Sequence, residues 1–273
     1  MKLEVKELTD SYGEFIVTDT TPAILNAIRR TLMSEVPKLA LDDVTIYDNT
    51  SALFDEMVAH RLALLPVPTD LDLFTYRELC TCEGEGCTNC TVLYTLSKEG
   101  PCTVVSGDLV PAADAKLKIV DPDVPIVKLL EGQRIMLECG AVLGEGRRHA
   151  KWQSVVAVGY QELPTLEIGK IPADTIDKMR ITAPADAITF EGTKVKVVDL
   201  VKAATYLASV KKRVDHDLTE VKVGRDTSKW IFRVETDGAI NPGVAVRKAI
   251  SLLMDKLKQV ESEAVNAPPV LSA

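Results

Sequence analysis

No stretch of these 273 residues approaches the roughly 20 consecutive apolar residues that a membrane-spanning helix needs. The opening residues, MKLEVKELTD, mix charges among apolar side chains and lack the apolar core of a secretion signal, so the expectation is a cytoplasmic protein without membrane contact. Positive charge is in short supply: 32 Lys and Arg stand against 40 Asp and Glu, giving a net charge of -8 and a pI near 5.1. Such a chain carries no broad electrostatic footprint for nucleic acid, and any approach to DNA is expected to be indirect. Histidine is scarce as well, with His60, His149 and His216 alone available for acid–base or metal chemistry. A nucleotide loop is also missing. Gly144-Glu145-Gly146 precedes Arg147, Arg148, His149 and Lys151, but it lacks the Walker spacing and the third glycine of a dinucleotide loop. The reading there is a solvated loop or a protein-docking loop.

What is present begins with residues 21–37, TPAILNAIRRTLMSEVP. Thr21 can cap a helix, Pro22 suits its first position, and Pro37 stops it after Val36. Leu25, Ile28, Leu32 and Val36 recur at helical spacing as one apolar stripe, with Asn26, Arg29, Arg30 and Ser34 on other faces. A second such helix is predicted over 241–260, again opened by a cap and a proline, with Val246, Ile250, Leu253, Leu257 and Val260 as its stripe. Two amphipathic helices from opposite ends imply that the ends fold together and that the long middle is an insertion. Alternation predicts a hairpin over 2–8 and 14–18, a strand around Val44 and Ile46, and a strand over 229–236 turning at Asp237-Gly238. The fold class is therefore α+β, and the length allows two or three units.

In the middle, residues 52–65 read as a short helix ended by Pro66 and Pro68, with His60 and Arg61 side by side on a solvated face or a docking face. Next comes CTCEGEGCTNC, in which Cys80, Cys82, Cys87 and Cys90 are spaced C-x-C-x4-C-x2-C. Four thiolates this close, with Gly84 and Gly86 letting the loop fold back, can wrap one ion tetrahedrally as a structural zinc site. All four positions would be filled, which argues against a catalytic metal. An iron–sulfur cluster and metal-free thiols are the alternatives; the missing H-x-E and Pro-Cys signature argues against a zinc deaminase. Cys102 and Cys139 read as small buried side chains. Strands are predicted over 102–105, 126–129, 134–140 and 154–162. Residues 163–228 hold no cysteine, and a short helix over 174–179, a hairpin over 187–190 and 194–198, and a helix over 199–210 suggest a spacer or small third domain. After Val260 the periodicity fades and the tail is expected to fray.

Taken together, these segments resemble the D-type chains of archaeal DNA-directed RNA polymerase, a family related to the bacterial alpha N-terminal domain and to the third-largest eukaryotic polymerase subunit. The residues that carry the resemblance are Asn26, Arg29 and Arg30 of the first helix, Asp55 through Leu62 with Leu65-Pro66, His149-Ala150-Lys151-Trp152, and Phe232 through Gly238. The resemblance implies a discontinuous dimerisation domain, 1–48 plus 229–273, and a mostly-β inserted domain, 49–162. It implies a heterodimer with the L subunit, docking of the second-largest subunit, and contact with the small N and P subunits. Leu25, Ile28, Arg29, Arg30, Leu32, His60, Arg61, Ile250, Leu253 and Leu257 are the expected partner-binding residues. The cysteine loop falls where the eukaryotic relative binds zinc. Some archaeal relatives carry iron–sulfur ligands in the region matching 163–228; none stands here, so a ferredoxin-like remnant without a cluster is expected, with Ala183-Pro184, Ala203 and Ala204 where ligands were lost.

The resemblance implies the role of an assembly subunit of a nucleotidyltransferase, and the chain is expected to be non-catalytic, since no magnesium-holding carboxylate cluster is evident. A stand-alone zinc-stabilised interaction module is the competing reading. A self-contained metalloenzyme or redox protein would need an open metal position or a coloured cluster.

Overall fold

The computed structural model describes residues 1–192, 194–213 and 220–266. In chain order the strands and helices are β1 (Lys2–Leu8), β2 (Tyr12–Thr18), α1 (Pro22–Ser34), β3 (Lys38–Asn49), α2 (Asp55–Ala63), β4 (Thr91–Glu99), β5 (Cys102–Val105), β6 (Val110–Pro111) and β7 (Pro125–Leu129). They continue as β8 (Arg134–Gly144), β9 (Ala157–Ile168), α3 (Ala173–Thr182), β10 (Ile188–Glu191), β11 (Lys194–Val197), α4 (Leu200–Arg213), β12 (Val221–Glu235) and α5 (Pro242–Asn266). Helices and several sheets thus combine as an α+β fold. One four-stranded sheet, in the order β1-β2-β12-β9, carries the first and the last strands of the chain.

The chain divides into two compact units. The larger comprises Val5–Glu14, Pro22–Gly159 and Arg233–Ala273. In it α1 and α5 pack together, as the two stripes predict. Leu25, Ile28, Thr31 and Leu32 are buried on α1, and Ala245, Val246 and Ala249 on α5. Polar contacts add to this packing around α1. Ser154 Oγ donates to the Leu32 carbonyl at 2.9 Å, and Lys256 pairs with Glu35.

The same unit holds the sheet β3-β8-β4-β6, antiparallel throughout. Strand β3 begins six residues before Val44 because Lys38, Leu39, Ala40 and Leu41 are all buried, so its first half shows no alternation to read. Bulges between Leu41 and Asp43 and between Ile46 and Asp48 break its register against β8. Strand β4 is absent from the sequence-based expectations, although Val92, Tyr94 and Leu96 alternate inward along it. Strands β5 and β7 pair separately, and α2 lays Val58 and Leu62 into the core that Leu39, Leu41, Tyr94, Ile126 and Leu137 complete.

The smaller unit comprises Met1–Glu4, Phe15–Thr21 and Tyr160–Phe232. Its core joins Met179 of α3, Ile188 of β10, Ala203 and Leu207 of α4, and Val221 of β12. The β10–β11 hairpin pairs Ile188 with Val197 and Glu191 with Lys194, and Gly192 takes the positive φ of 62° that its turn requires. Asp199 caps α4 by accepting from Val201 and Lys202 N–H, both at 2.9 Å.

Several boundaries move. Helix α1 ends at Ser34 rather than Val36, and α2 spans nine residues rather than fourteen. Strand β9 starts at Ala157 and runs to Ile168, past the expected end at 162, and β12 begins at Val221 rather than 229. Fraying is expected from 261, yet α5 continues to Asn266; residues 267–273 and His216 lie outside the described residues.

Candidate functional site

The four cysteines converge. The short helical turn Arg77–Leu79 delivers Cys80, and the chain then folds back on itself through Glu83, Gly84 and Gly86, whose φ angles are 55°, 89° and 95°. Cys87 through Thr91 close the loop, with Cys90 and Thr91 N–H both donating to the Cys87 carbonyl, at 3.0 and 2.9 Å. All four sulfur atoms lie within 4.8 Å of one another. Cys80 and Cys87 Sγ are 3.5 Å apart, Cys82 and Cys90 3.6 Å, and Cys87 and Cys90 4.0 Å. A tetrahedron with metal–sulfur bonds of about 2.3 Å has edges of about 3.8 Å, so the donor set suits one tetrahedral ion such as zinc.

The loop is also prepared for thiolates. Backbone N–H groups of Cys87 and Gly86 directed at Cys82 lower its pKa to about 5, and that of Cys82 lowers the Cys80 value. Burial drives Cys90 the other way, to about 11. An ion would therefore meet two sulfurs, of Cys80 and Cys82, inclined to ionise and would have to displace a proton from Cys90. Thr91 Oγ1 lies 3.7 Å from Cys90 Sγ. Cys139 is buried in β8 as expected, whereas Cys102 is only half-buried.

Beside the loop, Trp152 is buried and donates from Nε1 to the Val142 carbonyl at 3.1 Å. Lys151 Nζ lies 4.4 Å above its ring and pairs with Asp42, while Arg148 donates to Glu78 Oε1 at 3.0 Å. Gly144 lies so close to the Trp152 ring that a Cβ there would collide with it, and Gly146 presses on the Met33 carbonyl. These glycines serve close packing, and Arg147 N–H donates to the Ser34 carbonyl at 2.9 Å. Glu145 accepts from Tyr76 OH at 3.0 Å, which together with burial raises the tyrosine pKa.

The expected partner-binding residues fall into distinct environments. Leu25, Ile28 and Leu32 are buried inside the chain, Leu32 at 0% exposure. Arg29 is half-buried, bonding Asn26 Oδ1 at 3.2 Å, and Arg30 is exposed. Ile250 and Leu253 are half-buried, and Leu257 is 69% exposed, continued by Met254 at 53% and Val260 at 61%. His60 and Arg61 are exposed on α2, where Arg61 reaches the Pro125 carbonyl at 2.5 Å. Their neighbours Phe54, Met57 and Leu64 also stand in solvent. Nothing in the sequence-based expectations singles out these three; their spacing of three and seven residues is the signal that could have found them.

Residues 44–160 match the family described as the RNA polymerase Rpb3/RpoA insert domain, which sets the segment bearing the cysteine loop in the class of insert-bearing RNA polymerase chains. Along nearly its whole length the chain is similar to DNA-directed RNA polymerase subunit Rpo3 of Methanothermobacter thermautotrophicus, 40% identical over 263 residues, covering 95% of this chain and 97% of the relative. The Rpo3 proteins of Picrophilus torridus and Thermoplasma volcanium are 36% and 35% identical, each covering 94% of this chain and 97% and 96% of the relative. The chain belongs to the archaeal Rpo3 family of DNA-directed RNA polymerase subunits.

Among the described residues no helix is long and apolar enough to cross a membrane.

Proposed function

We propose that this chain is the non-catalytic assembly subunit on which a cytoplasmic DNA-directed RNA polymerase is built, pairing with the L subunit through the α1–α5 face. The observation that carries the reading is the division of α5. One face of its first turns is buried against the chain, while Met254, Leu257 and Val260 form an apolar stripe left exposed among the described residues. Leu25, Ile28 and Leu32 act through this contact by holding α1 against α5, and Ile250, Leu253 and Leu257 continue the seam onto the partner. An apolar surface of this kind suits an obligate interface.

On this reading residues 1–48 with 229–273 form the dimerisation domain, 49–162 the inserted domain, and 163–228 a small ferredoxin-like module without a cluster. The exposed residues Arg30, His60 and Arg61, and the half-buried Arg29, dock the second-largest subunit, assisted by Phe54, Met57 and Leu64. The small N and P subunits complete the platform, and DNA is met only through the assembled enzyme. Zinc held by Cys80, Cys82, Cys87 and Cys90 cross-links the loop and supplies no chemistry to the reaction.

Co-expression with the L-type subunit of the same organism, followed by light scattering on a sizing column and metal analysis, tests the reading. A one-to-one complex with one zinc per chain supports it. A soluble monomer that ignores the partner leaves a stand-alone zinc-stabilised module instead. For the docking face, charge reversal at Arg61 that left polymerase assembly unchanged would count against the assignment.

A further inference from the structure

The cysteine loop is held by a residue that no metal-ligand spacing reveals. Arg77 Nε donates to the Gly84 carbonyl at 2.9 Å, and its NH1 donates to Asp43 Oδ2 on β3 at 2.8 Å. The guanidinium also lies beside Gly86, where a Cβ would stand 3.6 Å from NH2 and 3.4 Å from Thr91 Oγ1. One planar group therefore touches the two loop glycines and ties them to the inserted sheet. Gly84 and Gly86 occupy the stretch that reverses the chain between Cys82 and Cys87.

We propose that Arg77 is the positioning residue of the metal centre, setting the separation of the Cys80–Cys82 arm from the Cys87–Cys90 arm. This inference rests on the reading of the loop as a zinc site. Two physical effects combine. The Gly84 hydrogen bond fixes the backbone that places Cys82, and the guanidinium charge offsets the excess negative charge of four thiolates around a divalent ion. The ion pair with Asp43 contributes less by itself, because the Arg77 side chain is 37% exposed and that of Asp43 68%. Its role is to orient the fork. A lysine can reach the carbonyl or the carboxylate but cannot hold both in one plane.

The test uses the full-length chain, wild type beside Arg77→Ala, Arg77→Lys and Asp43→Asn, loaded with zinc and challenged with a chelator of known affinity. Cobalt-substituted protein gives the ligand-field spectrum as a report on geometry, and melting of the metal-free proteins separates centre from fold. Arg77→Ala is expected to weaken zinc retention about 10- to 100-fold and to alter the cobalt spectrum, with metal-free melting unchanged. Arg77→Lys should recover part of the loss, and Asp43→Asn should weaken retention only a few-fold. Wild-type retention and spectrum in Arg77→Ala would overturn the proposal and leave zinc binding intact; a wild-type chain that takes up no metal removes the zinc reading and this inference with it. Should Arg77→Ala fail to fold, Arg77→Lys decides: retention reduced several-fold upholds the role and unchanged retention ends it.

Discussion

Arg233 Nε donates to Glu14 Oε2 at 2.6 Å, joining residues 219 positions apart. Lys6 reaches the other carboxylate oxygen at 2.7 Å, and Tyr12 OH adds a third bond at 3.0 Å. A few residues away Lys38, itself buried, pairs with Asp237. The two ends of the chain are thus joined by charges as well as by the α1–α5 seam, and both far-end residues belong to the segment from Phe232 to Gly238 that carries the family resemblance.

This cluster makes stability depend on pH. Burial acts to raise the Glu14 pKa, but the bonds from Lys6, Arg233 and Tyr12 override it and hold the value near 2, below the ordinary 4.5. A carboxyl with a depressed folded pKa stabilises the native state fully above about pH 4.5 and loses that contribution as pH falls toward 2. Glu14→Gln should therefore cost roughly 2 to 3 kcal/mol at pH 7 and flatten the acid limb of the unfolding curve between those values. Denaturant melts from pH 7 to 2 check this, and parallel wild-type and variant curves would refute it.

The cysteine loop makes a second prediction. Chelation at pH 7 should lower the melting temperature of the loaded chain, with zinc at 100 times its dissociation constant contributing about 2.7 kcal/mol. Cys82→Ser should abolish stoichiometric zinc and melt like the chelated wild type. Calorimetry with metal analysis reads both.

Residues of the two stripes should separate into two classes. Leu32→Ala, at a fully buried position, is expected to cost roughly 2 to 5 kcal/mol in the chain's own stability. Leu257→Glu should change that stability by less than about 0.5 kcal/mol and yet prevent the L complex from forming. Thermal melts of the single chain, set beside sizing of the co-expressed pair, distinguish them. Equal loss of complex at equal loss of stability would mean that Leu257 is ordinary core.

At Gly144, alanine should destabilise the larger unit by roughly 1 to 3 kcal/mol, because the new Cβ must displace the Trp152 ring. Trp152→Phe, which keeps an aromatic ring but leaves the Val142 carbonyl without its indole donor, should cost about 1 kcal/mol. Urea unfolding followed by far-UV dichroism measures both, and a neutral Gly144→Ala would show that the ring can move aside.

What the sequence determined by itself was local and periodic. The stripes of α1 and α5, the hairpin across Gly192 and the four-cysteine spacing are legible because each is written within a few turns or one loop, by side chains whose chemistry does not depend on distant neighbours. The start of β3 was not, since four consecutive buried residues, Lys38 to Leu41, show no alternation and the lysine's partner stands at Asp237. Tertiary structure alone decided which stripe residues are sealed inside and which stay exposed: Leu32 and Leu257 are the same residue type at equivalent spacing, and only the packing of α1 on the first turns of α5 sets them apart. It decided as well that Arg77, an arginine three positions before Cys80 with no metal-ligand role of its own, holds the Gly84 carbonyl and Asp43 together. The reason is physical: spacing encodes which groups can meet along one segment, whereas burial and long-range hydrogen bonds depend on which segments the fold brings together.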